Sequence, residues 1–358
     1  MSRIYTAVPD APPELRFAEE NIDFQDRHGQ LLNIRELKTQ FFTHKGVVPA
    51  VDGVSVRVPK KRIVGIVGES GCGKSVTAMS VLQLVSRPGR IVSGSIEFDG
   101  QELLGKNAKE MRDIRGNKIS VIFQEPMTSL NPVYTVGRQV SEAITIHQKV
   151  SKEEAKQSVI DIFKAVGIPE AEKRYYAFPH QLSGGLRQRV MIGMAMVCRP
   201  QLMIADEPTT ALDVTIEAQI LHLMKGLESR LGTSIMLITH NMGVVSEICD
   251  YVYVMYAGKI MEQANIFDLF DHTAHPYTRG LLNSIPKPTE EKQRLYNIKG
   301  MVPNLLRLPA GCRFSPRCQY ARPECYAKEP DLYKTAENHL VRCFRYKDGR
   351  GQEGGEDK

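Results

Sequence analysis

The hydrophobic pattern of this chain switches repeatedly between short β-type runs and stretches with helical spacing. Alternation in Leu32-Asn33-Ile34-Arg35-Glu36-Leu37 predicts a strand, and a second follows over Val51–Val58. Ile63-Val64-Gly65-Ile66-Val67 is rich in β-branched residues, as a buried strand is; it breaks at Gly68 and resumes as a helical pattern over Val76–Leu82. Gly94–Gly100 reads as another strand ending in a turn, and Ile119–Gln124 as one that ends in a polar side chain. Leu202–Asp206 and Ile235–Thr239 are buried strands that also run into polar residues. From Val136 to Tyr176 the spacing of Val159, Ile162, Phe163 and Val166 is helical, so this block interrupts the strand–helix alternation as an inserted helical subdomain. The pattern is that of an α/β chain.

The polar ends of these strands carry the candidate chemistry, since ligands of open α/β sheets sit at the carboxyl ends of strands. Gly68-Glu69-Ser70-Gly71-Cys72-Gly73-Lys74-Ser75 is G-x-x-x-x-G-K-S between a strand and a helix. Its glycines let backbone N–H groups converge on phosphate oxygens, and the helix N-terminus adds positive potential. Lys74 is placed to reach the β- and γ-phosphates and Ser75 to offer a hydroxyl to Mg²⁺. Cys72, near that helix N-terminus, reads either as an acidic, reactive thiol that bound nucleotide protects or as a small, tolerated side chain. Phe42, in the Phe41-Phe42 pair upstream, is a candidate to stack on the base, with ordinary core packing as the alternative. Gln124 can reach a nucleotide-bound metal or water. Asp206 can hold Mg²⁺, and Glu207 can orient an attacking water. Asp213 lies in the turn that follows, and His240 ends the last strand. Gln181-Leu182-Ser183-Gly184-Gly185-Leu186-Arg187 opens another helix with Ser183 as N-cap, which exposes amides and makes a second anion site.

Composition narrows the partners. At 358 residues the chain suits one large or two moderate domains. Charged residues make up 25% and the net charge is +6, too mild to imply nucleic acid. No run approaches the roughly 20 apolar residues that span a bilayer, and Met1–Glu20 has no apolar signal segment. These features predict a cytosolic chain that acts at a membrane, if at all, through a partner. Of seven cysteines, Cys312, Cys318, Cys325 and Cys343 cluster near the end with the spacing C-x5-C-x6-C-x17-C. In a reducing compartment such a cluster reads as metal-binding before disulfides. Four thiolates suit a [4Fe–4S] cluster or a structural Zn²⁺, and the absence of a close C-x2-C pair favours the bulkier cluster. Arg313, Arg317, Arg322 and Arg342 lie among these cysteines, where they are expected to offset a cluster's negative charge. Their distance in sequence from the phosphate loop predicts a structural role for the cluster.

Taken in order, the loop at Gly68–Ser75, Gln124, Leu182–Gly185, Asp206-Glu207, Asp213 and His240 resemble the ATP-binding subunit of an ABC transporter over about residues 31–265. Phe123-Gln124-Glu125-Pro126-Met127-Thr128-Ser129-Leu130-Asn131-Pro132, His275-Pro276-Tyr277-Thr278-Arg279-Gly280-Leu281-Leu282 and Pro303-Asn304-Leu305 with the cysteine-rich tail resemble the dipeptide/oligopeptide importer branch. The resemblance implies a P-loop NTPase core with an antiparallel β subdomain, a helical subdomain over about 125–190, and a C-terminal extension over 266–347. Residues 1–30 and 348–358 are expected to be a flexible lead-in and tail. It further implies ATP and Mg²⁺, with ATP sandwiched in a head-to-tail pair of ATPase chains, identical or sister. In that pair Ser183, Gly184, Gly185 and Asp213 complete the partner's site, Glu207 polarises water, and His240 steadies the γ-phosphate. Two permeases and an extracytoplasmic solute-binding protein are the implied partners, with the ATPase peripheral on the cytoplasmic face of the inner membrane. Relatives of this branch also carry a [4Fe–4S] cluster in the extension. The readings left beside a peptide importer are a sugar, metal or antibiotic-peptide transporter and a soluble ABC ATPase. Against the last stand the single cassette, the mild charge and the tail.

Overall fold

The computed structural model describes residues 29–124, 129–210, 212–285 and 297–348. The lead-in expected up to residue 30 lies outside them as far as residue 28, as do Glu125–Thr128, Ala211 and the expected tail from residue 349 on. The chain folds as two compact units, one holding Lys106–Met236 and the other the flanking stretches that end at Gly105 and resume at Leu237.

The flanking unit opens on a long hairpin. Strands β1 (Gln30–Thr43) and β2 (Gly46–Pro59) pair antiparallel and turn at Gly46, whose φ of 127° favours glycine. Both strands run further than the alternation predicts, so Phe41 and Phe42 are strand residues. The reason is a bulge between Ile34 and Leu37, with Glu36 at φ 45°, that resets the inward parity and hides the continuation. β3 (Ile63–Val67) is buried at every residue and leads into helix α1 (Lys74–Val81). β4 (Gly89–Phe98) and the short β5 (Gln101–Glu102) complete a four-stranded antiparallel sheet in the order β2-β1-β4-β5.

In the other unit, α2 (Ala108–Ile114) precedes β6 (Ile119–Ile122). Helices α3 (Val136–His147), α4 (Lys152–Ala165), α5 (Ala171–Arg174) and α6 (Gly184–Met196) follow. Val159, Ile162, Phe163 and Val166 are all fully buried, as their spacing predicts. Ser151 and Glu154 form a reciprocal capping box that fixes the start of α4. β7 (Leu202–Asp206) is buried throughout and pairs parallel with β6, and α7 (Val214–Leu231) follows it.

The chain returns along β8 (Ser234–Thr239) to α8 (Met242–Ile248), β9 (Tyr251–Tyr256), β10 (Lys259–Asn265), α9 (Ile266–Asp271) and α10 (Pro276–Asn283). β9 pairs parallel with β3 and antiparallel with β10. Past α11 (Pro323–Ala327), β11 (Tyr333–Ala336) and β12 (His339–Val341) form a hairpin, and β12 pairs with β10. The C-terminal extension therefore shares a sheet with the strand that abuts the phosphate loop. This hairpin has no warning in the sequence: its strands are four and three residues long, too short for a periodic signal.

A buried carboxylate ties the extension together. Glu262 on β10 is fully buried and accepts the backbone N–H groups of Ala274 (2.7 Å) and His275 (2.9 Å), while the His339 ring meets it through Nε2 at 2.7 Å. These bonds set the entry into α10, whose N-cap His275 accepts from the Tyr277 N–H at 3.0 Å. Removing a buried acceptor leaves its donors unsatisfied. Glu262→Ala is expected to lower stability by about 3 kcal/mol, measured as a shift in chemical denaturation, and Glu262→Gln by less. Equal stability of Glu262→Ala and the parent would refute this role.

Candidate functional site

The phosphate loop is shaped by positions where nothing larger than hydrogen fits. A Cβ on Gly68 would lie 2.1 Å from the Met255 carbonyl oxygen, and one on Gly73, at φ 108°, would lie 2.2 Å from that of Ala50. The loop is thereby pressed onto β9 near its end and onto the body of β2. The N–H of Gly258 donates to the Cys72 carbonyl at 2.8 Å and completes this seat. Lys74, 5% exposed, spans the turn and donates to the carbonyls of Gly68 (2.7 Å) and Glu69 (3.1 Å). Ser75, half-buried, is the second residue of α1, while Ser70 and Gly71 are exposed. The arrangement is an amide-lined turn with a cation across it, at the N-terminus of a helix.

Cys72 does not fit the reactive-thiol reading. It is 1% exposed, and burial, the dominant effect, pushes its pKa up despite the Lys74 ammonium 3.9 Å from its sulfur. The thiol packs beneath the loop, where it replaces space rather than offering a nucleophile.

Glu69 is held from two directions by the C-terminal extension. Its N–H donates to the Tyr277 hydroxyl at 2.9 Å, and its carboxylate receives Arg317 through Nη1 at 2.7 Å and Nη2 at 3.1 Å. Arg317 also donates to the Tyr256 hydroxyl (3.3 Å) and to the carbonyls of Ile298 and Lys299 (both 3.1 Å). The rings of Tyr256, Tyr277 and Phe314 pack with centroids 4.7–5.4 Å apart. Burial works against the Arg317 charge, but the hydrogen bond to Glu69 raises its pKa above the ordinary arginine value. The sequence signals Tyr277 only through the run His275-Pro276-Tyr277-Thr278, where a proline just inside a helix marks its start, and it assigns Arg317 to the cysteines rather than to Glu69.

Phe42 is half-buried with the Arg90 guanidinium 4.0 Å over its ring, so a cation already covers one face. His240 is exposed directly after β8, where Asn241 starts α8 by accepting the Gly243 N–H at 2.9 Å.

In the other unit, Asp206 closes β7 at 3% exposure and Glu207 follows with φ 47°, a left-handed turn that redirects its side chain. The Glu207 carboxylate accepts from Gln124 Nε2 at 3.0 Å and Thr210 Oγ1 at 3.1 Å, so two separately predicted residues meet. Ser183 caps α6, accepting the Leu186 N–H at 3.4 Å, and Ser183 and Gly184 are exposed. A Cβ on Gly185 would lie 2.9 Å from Ile216, which brings α6 and α7 close. Gln188 of α6, fully buried, donates to the Pro208 carbonyl, linking this helix to the acidic turn. Asp213 is the N-cap of α7 and accepts the Ile216 N–H at 3.0 Å. Within this unit Gln124 and Asp206 offer hard oxygens, the donor type Mg²⁺ takes.

Cys312, Cys318, Cys325 and Cys343 are free thiols that line one small cavity with His275, Phe314, Tyr320 and Arg345. Burial pushes the pKa of Cys312 up to about 12 and that of Cys318 up to about 11. Among the described residues, no group of three or more His, Cys, Asp or Glu side chains is placed to hold a metal ion. Of the four arginines expected to serve these cysteines, Arg322 lines the same cavity, but the other three turn elsewhere. Arg313 pairs with Asp52 and the Ala257 carbonyl, Arg317 with Glu69, and Arg342 with the carbonyls of Ile260 and Pro330. A guanidinium finds fixed acceptors in the protein stronger than a diffuse charge.

A phosphate-loop turn on a parallel strand, an acid-ended strand and a Ser-Gly-Gly helix start define a nucleotide-binding ATPase of the P-loop class. A family profile described as ABC transporter matches residues 51–210, and one described as oligopeptide/dipeptide transporter, C-terminal region, matches residues 261–325. The oligopeptide transport ATP-binding protein AppD of Bacillus subtilis is 50% identical over 319 residues, covering 89% of this chain and 97% of its own. The dipeptide transport ATP-binding protein DppD of Escherichia coli is 44% identical over 322 residues, covering 90% and 98%. A solved structure, the dimeric structure of MJ0796, a bacterial ABC transporter cassette, matches 66% of this chain and 98% of its own with TM-score 0.60. At 24% identity that match establishes the ABC ATPase fold. The chain belongs to the peptide-transport branch of the ABC transporter ATP-binding proteins.

The burial of Cys72 generates a direct expectation. Maleimide should leave Cys72 unmodified in the folded protein over hours, with or without ATP, and label it on denaturation, as read by peptide mass spectrometry. Rapid labelling blocked by ATP would restore the reactive-thiol reading.

Proposed function

We propose that this chain is the ATP-hydrolysing subunit that powers peptide import through membrane permeases. The observation that carries the reading is one chain joining an intact phosphate loop, acid-ended strand and Ser-Gly-Gly helix to the oligopeptide/dipeptide C-terminal region. No helix among the described residues is long and apolar enough to cross a membrane, in keeping with a peripheral subunit on the cytoplasmic face of the inner membrane. Its partners are then two permeases, a second ATPase chain, identical or sister, and an extracytoplasmic solute-binding protein.

In this reading Lys74 and the amides of Gly68–Ser75 bind the phosphates, and Ser75, Gln124 and Asp206 would hold Mg²⁺, which would offset charge on the phosphoryl oxygens. Glu207 orients the attacking water, with Gln124 and Thr210 fixing its carboxylate, and His240 steadies the γ-phosphate. Ser183, Gly184 and Gly185 present amides, and Asp213 its capped helix start, to nucleotide on the second ATPase chain. Phe42 is the candidate for the base. Catalysis is positioning and charge stabilisation. Glu207→Gln should bind ATP as the parent does while kcat falls about 100-fold or more, read by steady-state ATPase and nucleotide-binding assays. Turnover at the parent rate would remove Glu207 from this role.

We further propose that residues 31–265 act as the ATPase domain, with a helical subdomain over about 125–190, and that 266–347 carry a metal group. What motivates this reading is that Cys312, Cys318, Cys325 and Cys343 line one cavity, with a [4Fe–4S] cluster as the proposed group and Zn²⁺ as the alternative for four thiolates. Anaerobically purified protein should be brown with about four irons per chain, and Cys318→Ser should lose the colour. Colourless protein with one bound zinc would establish the alternative.

A further inference from the structure

The cysteine-lined module and the phosphate loop are far apart in sequence and joined by two arginines. Arg317, one residue before Cys318, is 5% exposed at its side chain and meets the Glu69 carboxylate with both terminal nitrogens. Arg313, one residue after Cys312, donates to the Ala257 carbonyl, and the next residue, Gly258, donates its N–H to the Cys72 carbonyl. Arg313 also pairs with Asp52 on β2, whose N–H donates to the Gly258 carbonyl at 2.9 Å. Both ends of the Glu69–Cys72 turn are thus tied to the stretch that carries Cys312 and Cys318.

The charges make this more than packing. A loop that cradles a triphosphate gains from positive potential, and Glu69 sets a carboxylate inside it. Left alone, that carboxylate would oppose the positive potential a phosphate-binding loop needs. A bidentate guanidinium both cancels it and fixes its direction. The Tyr277 hydroxyl takes the Glu69 N–H at 2.9 Å, so residue 69 is fixed at backbone and side chain together. Arg317 itself is held by the Tyr256 hydroxyl and two carbonyls, which fixes its reach from the module side.

We propose that Arg317 is a positioning residue for ATP: by pinning and neutralising Glu69, it lets the cysteine-lined module set the nucleotide affinity of the phosphate loop. This rests on the assignment of Gly68–Ser75 to ATP. Arg317 need not touch nucleotide and acts through Glu69 alone.

The test is a double-mutant cycle on the full chain, with a fluorescent ATP analogue for Kd and steady-state hydrolysis for KM and kcat. Arg317→Met should raise Kd and KM about tenfold with kcat within about twofold of the parent, and Arg317→Lys should recover part of the loss. Glu69→Gln in the Arg317→Met background should bind ATP more tightly than Arg317→Met alone, because the uncompensated carboxylate is gone. The Arg317→Met defect should also shrink at high salt, which screens that carboxylate. If Arg317→Met does not fold, Arg317→Lys against Arg317→Lys with Glu69→Gln gives the same comparison. Unchanged Kd in folded Arg317 variants, or a defect that Glu69→Gln leaves in place, overturns the proposal. Failure of the parent protein to bind the analogue would instead refute the ATP assignment.

Discussion

Much of this structure depends on a pair of glycines with no room for a methyl group. Gly68 and Gly73 bring the phosphate loop into contact with the Met255 and Ala50 carbonyls, and those contacts hold the loop against two strands from different sheets. Once the backbone is that close, Lys74 has its carbonyl partners within reach and Cys72 is forced beneath the turn. The loop is a rigid seat rather than a flexible flap. Its surroundings are buried aromatic and β-branched side chains that leave little freedom to rearrange.

Around that seat the chain adds polar contacts of long sequence range. The Tyr277 hydroxyl reaches Glu69 across 208 residues and Arg317 across 248. Glu262, itself fully buried, organises the segment that delivers Tyr277. The extension is therefore continuous with the ATPase core of its unit. A buried carboxylate with satisfied donors holds the connection, and an aromatic group of Tyr256, Tyr277 and Phe314 fills the space between them.

The chemistry at strand ends was legible because each motif is local: a glycine spacing, an acid pair, a Ser-Gly-Gly start. The helical block was legible because Val159, Ile162, Phe163 and Val166 repeat with the helix. What escaped was long-range or irregular. The bulge at Glu36 concealed the length of β1, since a one-residue irregularity reverses which positions face inward. Burial of Cys72 could not be read from its place near a helix start, because desolvation depends on what packs over it. Of the arginines near the cysteines, Arg313 and Arg317 carried the right charge but the wrong address; only the fold shows that they turn toward Asp52 and Glu69.

The hairpin of β11 and β12 has a bearing on how this chain tolerates shortening. β12 covers the outer edge of β10 at Glu262 and Gln263, and β11, four residues long, becomes the border strand there. A border that short offers few open backbone groups for another chain to pair with, whereas the seven-residue β10 laid bare would offer a longer one. Trimming the last turn of chain in search of a minimal cassette thus trades a blunt margin for an adhesive one.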